Sequence, residues 1–245
     1  MRPAGPSPVF DLVVAVVPAI ALAMANAWWF DLPDTYVWTV LLGYAGLSVA
    51  LLAGAPRRLP PPGLGWANRV TLLRATLVLP VAALLVTPGS ARGSLAWLAV
   101  ALALVALVMD GVDGAVARRT SSETPLGARF DMELDAFLIL VLAGLVWTST
   151  PLGFWVVSIG LIRYVFVLAG WLWAPLDRDL PPSFRRKVIC VVQVAALLVA
   201  LAPVVPPPAA AGVCGVALAL LTYSFAVDVL WLVRRAQQPA PSTGR

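Results

Sequence analysis

Apolar runs recur along nearly the whole chain, and each is long enough to cross a hydrocarbon core of about 30 Å as an α-helix. Hydrophobic residues make up 61% of the 245 residues and charged residues only 12%, a balance unlike that of soluble domains. We therefore predict an all-α fold, a polytopic integral membrane helical bundle with eight spans. The predicted spans are 9–30, 37–54, 70–87, 94–110, 131–148, 153–174, 187–204 and 209–233.

The basic residues fall mostly in short loops between these runs, so topology explains the formal charge of +5 and no nucleic-acid partner is expected. In the predicted topology they gather in every second loop and at the C-terminal end of the last span. The positive-inside rule places these loops and both termini in the cytoplasm. We expect a multi-pass protein of the plasma or inner cell membrane.

The Pro-rich segment at 57–65 divides the chain. We predict two N-terminal transmembrane helices and this joint within 1–60, a six-span core within 61–236, and a disordered polar tail at 237–245. Ala23-Met24-Ala25 also fits a signal-peptide cleavage site. A retained span is preferred, because the apolar run continues into the interfacial aromatic residues Trp28-Trp29-Phe30.

Histidine is absent from the chain, which excludes His-based acid–base chemistry and His-ligated metals. Cys190 and Cys214 both lie inside apolar runs and are interpreted as small core residues. Any chemistry must therefore use carboxylates, Arg, Lys or hydroxyl groups.

Four aspartates lie between the fourth and fifth predicted spans: Asp110, Asp113, Asp131 and Asp135. The spacing of three residues in the first pair and four in the second puts each pair on one face of its helix. Two such faces brought together would supply hard oxygen ligands for one or two Mg²⁺ or Mn²⁺ ions. The alternative is a set of solvated carboxylates that balance Arg118, Arg119 and Arg129.

Small residues accompany the aspartates. Gly114 and Ala117 leave the helix surface bare, and Gly127 does the same on the facing element. Arg118 adds a fixed cation suited to phosphate. The pattern predicts a diphosphate site.

Written out, the segment reads D-x2-D-G-x2-A-R-x8-G-x3-D-x3-D, and it resembles the signature of the CDP-alcohol phosphatidyltransferases at all eight fixed positions. The resemblance extends more loosely over about 66–233. Asn68-x2-Thr71-x2-Arg74 is similar to the segment that opens the family's core. Leu161-Ile162-Arg163 resembles an intramembrane Arg segment of the phosphatidylglycerophosphate synthase branch, although Tyr164 stands where that branch usually has Glu.

The resemblance implies transfer of a phosphatidyl group from a CDP-linked lipid to an alcohol, with release of CMP. Asp110, Asp113 and Asp131 would bind metal, two Mg²⁺ or Mn²⁺ ions in all, and Asp135 would complete the cluster and act as the base. The CDP and substrate pocket would be formed by Gly114, Ala117, Arg118, Gly127, Asn68, Thr71 and Arg74. A homodimer within the lipid bilayer is also implied.

The sequence indicates the identity of the acceptor alcohol less clearly than that of the donor. Arg163, Arg186 and Lys187 would suit glycerol 3-phosphate or an inositol phosphate, while serine, a neutral polyol or a second lipid stay open. Two structural alternatives remain: Arg163 forms a salt bridge to an aspartate of the cluster, and the basic residues at 185–187 only set topology. We expect Asp228 to pair with Arg234 or Arg235.

Two other functions compete with the transferase. A cation transporter would bind its ion with the same aspartates but would release no CMP. A catalytically silent family member would serve as a scaffold, and its expected mark, a missing aspartate, is not found.

Overall fold

Eight α-helices make up most of the residues that the structure, a computed structural model, describes, and no strand occurs in that part. The described ranges are 8–54, 65–87, 93–120, 125–176, 180–181 and 183–237. Within them, the side chains at 8–9, 54, 65–68, 112–120 and 125–126 are outside the description. The predicted Pro-rich joint and the predicted disordered tail lie outside it almost entirely.

Each predicted span falls on one helix, which confirms the all-α membrane fold. The helices are α1 (Pro8–Phe30), α2 (Asp34–Gly54), α3 (Gly65–Val86), α4 (Ser94–Thr120), α5 (Pro125–Ser149), α6 (Ser158–Leu172), α7 (Phe184–Leu201) and α8 (Pro207–Ala236). A 3-10 turn at Phe154–Val157 leads into α6, and a second one follows it at Ala174–Leu176. Among the described residues, six segments are long and apolar enough to cross a membrane: α1, α2, α3, α4, α6 with its leading turn, and α8.

Helix α3 lies at the centre of the bundle. It is 61% buried over its apolar window, whereas the other candidate spans are 22–28% buried. It packs against α1, α2, α4 and α5, while α5 also packs against α6 and α7, and α7 packs against α8. The outward faces of the peripheral helices expose large apolar side chains, as a lipid solvent requires.

Glycines allow close approach of neighbouring helices. A Cβ added at Gly160 of α6 would lie 2.5 Å from the Leu140 Cα of α5, so these two backbones are in direct contact. A Cβ at Gly43 of α2 would lie 2.9 Å from the Leu79 Cδ2 of α3. Lipid tails are as apolar as the helices, so tight packing at small residues stabilises such an interface.

Helices α4 and α5 continue past the predicted spans at 94–110 and 131–148. Helix α4 has 27 residues, which corresponds to about 40 Å at 1.5 Å per residue, more than a hydrocarbon core needs. A span predicted from an apolar run ends at the first charged residue, but the hydrogen-bonded helix continues through the charged residues. The aspartate segment therefore lies on regular helix at one end of the bundle.

Candidate active site

Arg74 connects three aspartates from two helices. Its Nη1 lies 2.8 Å from Asp110 Oδ1 and also contacts Asp131 Oδ1, and its Nη2 lies 2.5 Å from Asp135 Oδ1. The Nε donates a hydrogen bond of 3.2 Å to the Ala106 carbonyl of α4. The side chain is 1% exposed, so this guanidinium is fixed between α3, α4 and α5.

Asp110, Asp131 and Asp135 form a carboxylate triad, each offering an oxygen within 4.8 Å of the others. Their side chains are 24–36% exposed, so ligands can reach the triad even though Arg74 is buried. Each carboxylate has two oxygens and several lone pairs, so it can bind a cation while it accepts from Arg74. The donor set is the type that Mg²⁺ and Mn²⁺ prefer, and it fits a divalent ion.

Glu133 lies between Asp131 and Asp135 in the chain but contacts a different helix. Its Oε1 accepts a hydrogen bond of 2.5 Å from Arg163 Nη2 of α6. The alternative that Arg163 pairs with an aspartate of the cluster is therefore wrong, because helical spacing of two residues turns Glu133 toward α6. Within the described part of the chain, the buried Arg163 Nε has no hydrogen-bond partner.

Asp228 pairs with the start of α7. Its Oδ1 accepts from Arg185 Nη2 and lies 3.3 Å from Arg186 Nη1. The expected pairing of Asp228 with Arg234 or Arg235 is therefore wrong. Because α7 packs against α8, Arg185 and Arg186 in the first turn of α7 lie next to the buried Asp228 of α8. Arg186 also donates to the Pro181 carbonyl.

Of the other predicted site residues, the structure describes the side-chain environment of some and only the helical position of the rest. Thr71 is buried on α3, Gly127 is buried near the start of α5, and Lys187 is exposed on α7. The remaining residues lie in helices, but their side chains are outside the described part. These are Asn68 in α3 and Asp113, Gly114, Ala117 and Arg118 in α4.

Helix α7 borders the triad. It packs against α4 and α5, the two helices that carry the triad. Glu133 lies between Asp131 and Asp135 on α5, so its pair with Arg163 holds α6 beside the same segment of α5. A substrate bound at the triad would be near α6 and α7, which carry the basic residues.

Three contacts of charged residues in the structure are not predicted by the sequence pattern. The pattern places Arg74 in the substrate pocket and not against the aspartates, and it predicts no contact for Glu133 or Asp11. A usable signal existed for Asp11, because a charge within an apolar run is costly and needs a polar partner. Its partner is Arg69 at the start of α3, with Asp11 Oδ1 and Arg69 Nε 2.9 Å apart.

Comparison with known proteins agrees with this site. The family model for CDP-alcohol phosphatidyltransferase matches residues 64–229, which include α3 to α7 and most of α8. Human ethanolaminephosphotransferase 1 is 42% identical over 81 residues, 33% of this chain. That stretch spans only 19% of the human protein. No solved structure matches the chain.

The matched region contains the complete triad, Arg74 and the basic start of α7. It covers well over half of the chain, and it is the family whose signature the eight fixed positions between Asp110 and Asp135 resemble. The chain therefore belongs to the CDP-alcohol phosphatidyltransferase family.

Proposed function

We propose that the protein transfers a substituted phosphate, a phosphatidyl group, from a CDP-linked lipid such as CDP-diacylglycerol to an alcohol, releasing CMP in phospholipid biosynthesis. The single observation that supports this most is the meeting of Asp110 from α4 with Asp131 and Asp135 from α5 around Arg74. Displacement at phosphorus needs charge neutralisation, positioning and a nearby base, and carboxylates with metal supply these without histidine.

In the proposed reaction, the acceptor hydroxyl oxygen forms a bond to the donor phosphorus while the bond from that phosphorus to the CMP oxygen breaks. Asp135 takes the hydroxyl proton, and CMP leaves with the electron pair of the broken bond. Arg74 holds the three carboxylates in place from the protein side. Asp113, Gly114, Ala117, Arg118 and Gly127 are proposed, from the signature, to complete the metal and CDP site.

The triad, with Asp113, would hold Mg²⁺ or Mn²⁺, two ions in the proposed scheme, and metal bound there would neutralise charge on the diphosphate. Thr71 and Asn68 lie on α3 one and two turns before Arg74, and we assign them to the substrate pocket. The buried position of Arg74 favours a role in orienting the aspartates over direct contact with substrate.

For the acceptor, we propose a phosphorylated alcohol held by Arg163, Arg186 and Lys187. Arg163 is already neutralised by Glu133, and Arg186 shares Asp228 with Arg185. An anionic acceptor would therefore exchange partners with these carboxylates, while the exposed Lys187 offers charge directly. Glycerol 3-phosphate and inositol phosphate are the acceptors to test first.

One observation favours a second candidate. The human relative is named for ethanolamine phosphate transfer, and its similarity covers 81 residues at 42% identity. A CDP-linked amino alcohol could accordingly be the donor, with a lipid alcohol as the acceptor. The pairing of both arginines with internal carboxylates suits a neutral acceptor.

We further propose that the protein lies in the plasma or inner membrane with its active site and both termini in the cytoplasm, and that it forms a homodimer. The positive-inside distribution supports this orientation. Residues 61–236 would form the catalytic unit, preceded by the two N-terminal helices.

The Asp135→Asn variant separates the transferase from its rivals. Purified wild type, given Mn²⁺ or Mg²⁺, each CDP-linked donor and each acceptor in turn, should release CMP and form one lipid product on thin-layer analysis. The variant should lose about 10²–10⁴-fold of CMP release, the usual contribution of a general base, with donor binding retained. Metal flux into vesicles without CMP release would instead support a transporter, and neither activity would support a scaffold.

A further inference from the structure

Asp11 is a buried carboxylate outside the matched family region. It lies in the first turn of α1, its side chain is 6% exposed, and its Oδ1 is 2.9 Å from Arg69 Nε on α3. Among the described residues, its Oδ2 has no hydrogen-bond partner. The pair with Arg69 is therefore the main compensation seen for burying this charge, and burial of a charge is costly without such pairing.

Helices α1 and α2 form a hairpin, called here the N-terminal hairpin, that is fixed to α3 at several levels. The Tyr44 hydroxyl of α2 donates a 2.7 Å hydrogen bond to the Leu12 carbonyl, next to Asp11. Gly43, the residue before Tyr44, brings the backbone of α2 close to Leu79 of α3. Both helices pack against α3, so a shift of the hairpin would move α3.

Helix α3 carries this constraint to the active site. Arg69 is five residues before Arg74 on the same continuous helix, a rise of about 7.5 Å. Arg74 contacts all three carboxylates of the triad and is 1% exposed, so it has little room to adjust if α3 moves. The position of the first turns of α3 thus determines where the Arg74 guanidinium meets Asp110, Asp131 and Asp135.

We propose that Asp11 is a positioning residue for the proposed transfer reaction: through Arg69 it fixes the start of α3, and so places Arg74 against the aspartate triad. The N-terminal hairpin would then contribute to catalysis by positioning Arg74, in addition to anchoring the protein in the membrane. This inference depends on the proposed function only in that CMP release is its readout.

The test uses the full-length protein in detergent or vesicles and measures kcat, KM for the CDP-linked donor and the Mn²⁺ concentration that gives half-maximal CMP release. Asp11→Asn should lower kcat about tenfold or more, since small misplacements of catalytic groups cost up to about 10²-fold, and should shift the Mn²⁺ dependence. Asp34→Asn, an exposed aspartate at the opposite end of the same hairpin, is the matched control and should behave as wild type.

A double-mutant cycle with Arg69→Gln tests the route of the effect. Because Asp11 acts through Arg69, Asp11→Asn should have little further effect in the Arg69→Gln background. Additive losses, or an Asp11→Asn enzyme with wild-type kcat and Mn²⁺ dependence, would overturn the proposal. If Asp11→Asn does not accumulate, Arg69→Lys should retain far more turnover than Arg69→Gln, and equal turnover in these two would also overturn it. A wild type that releases no CMP would refute the proposed function itself.

Discussion

Arg74 is the residue on which the geometry of the triad depends. Its guanidinium contacts one oxygen of each aspartate and one backbone carbonyl of α4. Three carboxylates this close would repel one another in a low-dielectric setting without a cation. Arg74 supplies a positive charge that the protein keeps at the site at all times.

Replacing Arg74 should therefore destabilise the protein and make it more dependent on metal. Arg74→Gln should lower the free energy of unfolding by about 3 kcal/mol, the lower end for breaking a buried ion pair, because the aspartates are partly exposed. Arg74→Lys keeps the positive charge but not the planar guanidinium that contacts several carboxylates at once, so its loss of unfolding free energy should be smaller.

Thermal unfolding in detergent, with and without Mn²⁺, measures both effects. Added Mn²⁺ should raise the midpoint of Arg74→Gln more than that of wild type, since the ion replaces the missing positive charge. Wild-type stability of Arg74→Gln in metal-free buffer would contradict this role of Arg74.

At the residue scale, patterns within one helix were predictable and partners on other helices were not. The spacing of Asp131 and Asp135 placed both on one face of α5, and the structure brings both to Arg74. Asp228 was assigned to nearby Arg234 or Arg235, but its partners are more than 40 positions away on α7. Sequence distance does not reveal which helices pack side by side.

At the element scale, the contact of α5 with α6 controls where the second half of the site lies. Helix α5 carries two members of the triad, and Glu133 on the same helix holds Arg163 of α6. Gly160 is where the two backbones meet, since an added Cβ would lie 2.5 Å from Leu140 Cα.

Gly160→Ala should separate α5 from α6. Overpacking of this kind typically costs about 1–3 kcal/mol, and the upper end is expected because the contacted atom is backbone. Unfolding in detergent measures the cost, and CMP release should fall with it. Gly215→Ala on α8, where nothing lies within 4 Å of the added Cβ, is the matched control and should be neutral or slightly stabilising. Equal stability of the two variants would contradict the close contact.

The elements themselves were predictable because apolar length and charge punctuation determine membrane helices. The first and last residues of the helices were less predictable. The span predicted at 70–87 proved to be the last part of α3, which starts at Gly65, and α4 runs ten residues beyond its predicted end. Helical hydrogen bonding continues past the first charged residues, so hydrophobicity alone does not predict where these helices end.

For the whole molecule, the ion pairs that link different helices in the described part of the chain lie at the end of the bundle where the triad lies. Asp11 with Arg69, Arg74 with the triad, and Asp228 with the start of α7 join α1, α3, α4, α5, α7 and α8. The membrane-embedded remainder packs mainly through small and aliphatic side chains. The molecule thus combines a lipid-facing apolar body with one charged end, which suits the proposed reaction between a water-soluble and a lipid substrate.

The proposed transfer reaction depends on a divalent ion bound at the triad. The most direct measurement is electron paramagnetic resonance of Mn²⁺ titrated into purified protein, with wild type compared with Asp131→Asn. Wild type should bind Mn²⁺ saturably, and Asp131→Asn should bind it at least about tenfold more weakly, as for loss of a metal-site residue. Equal Mn²⁺ binding by the two proteins, or none by wild type, would contradict it.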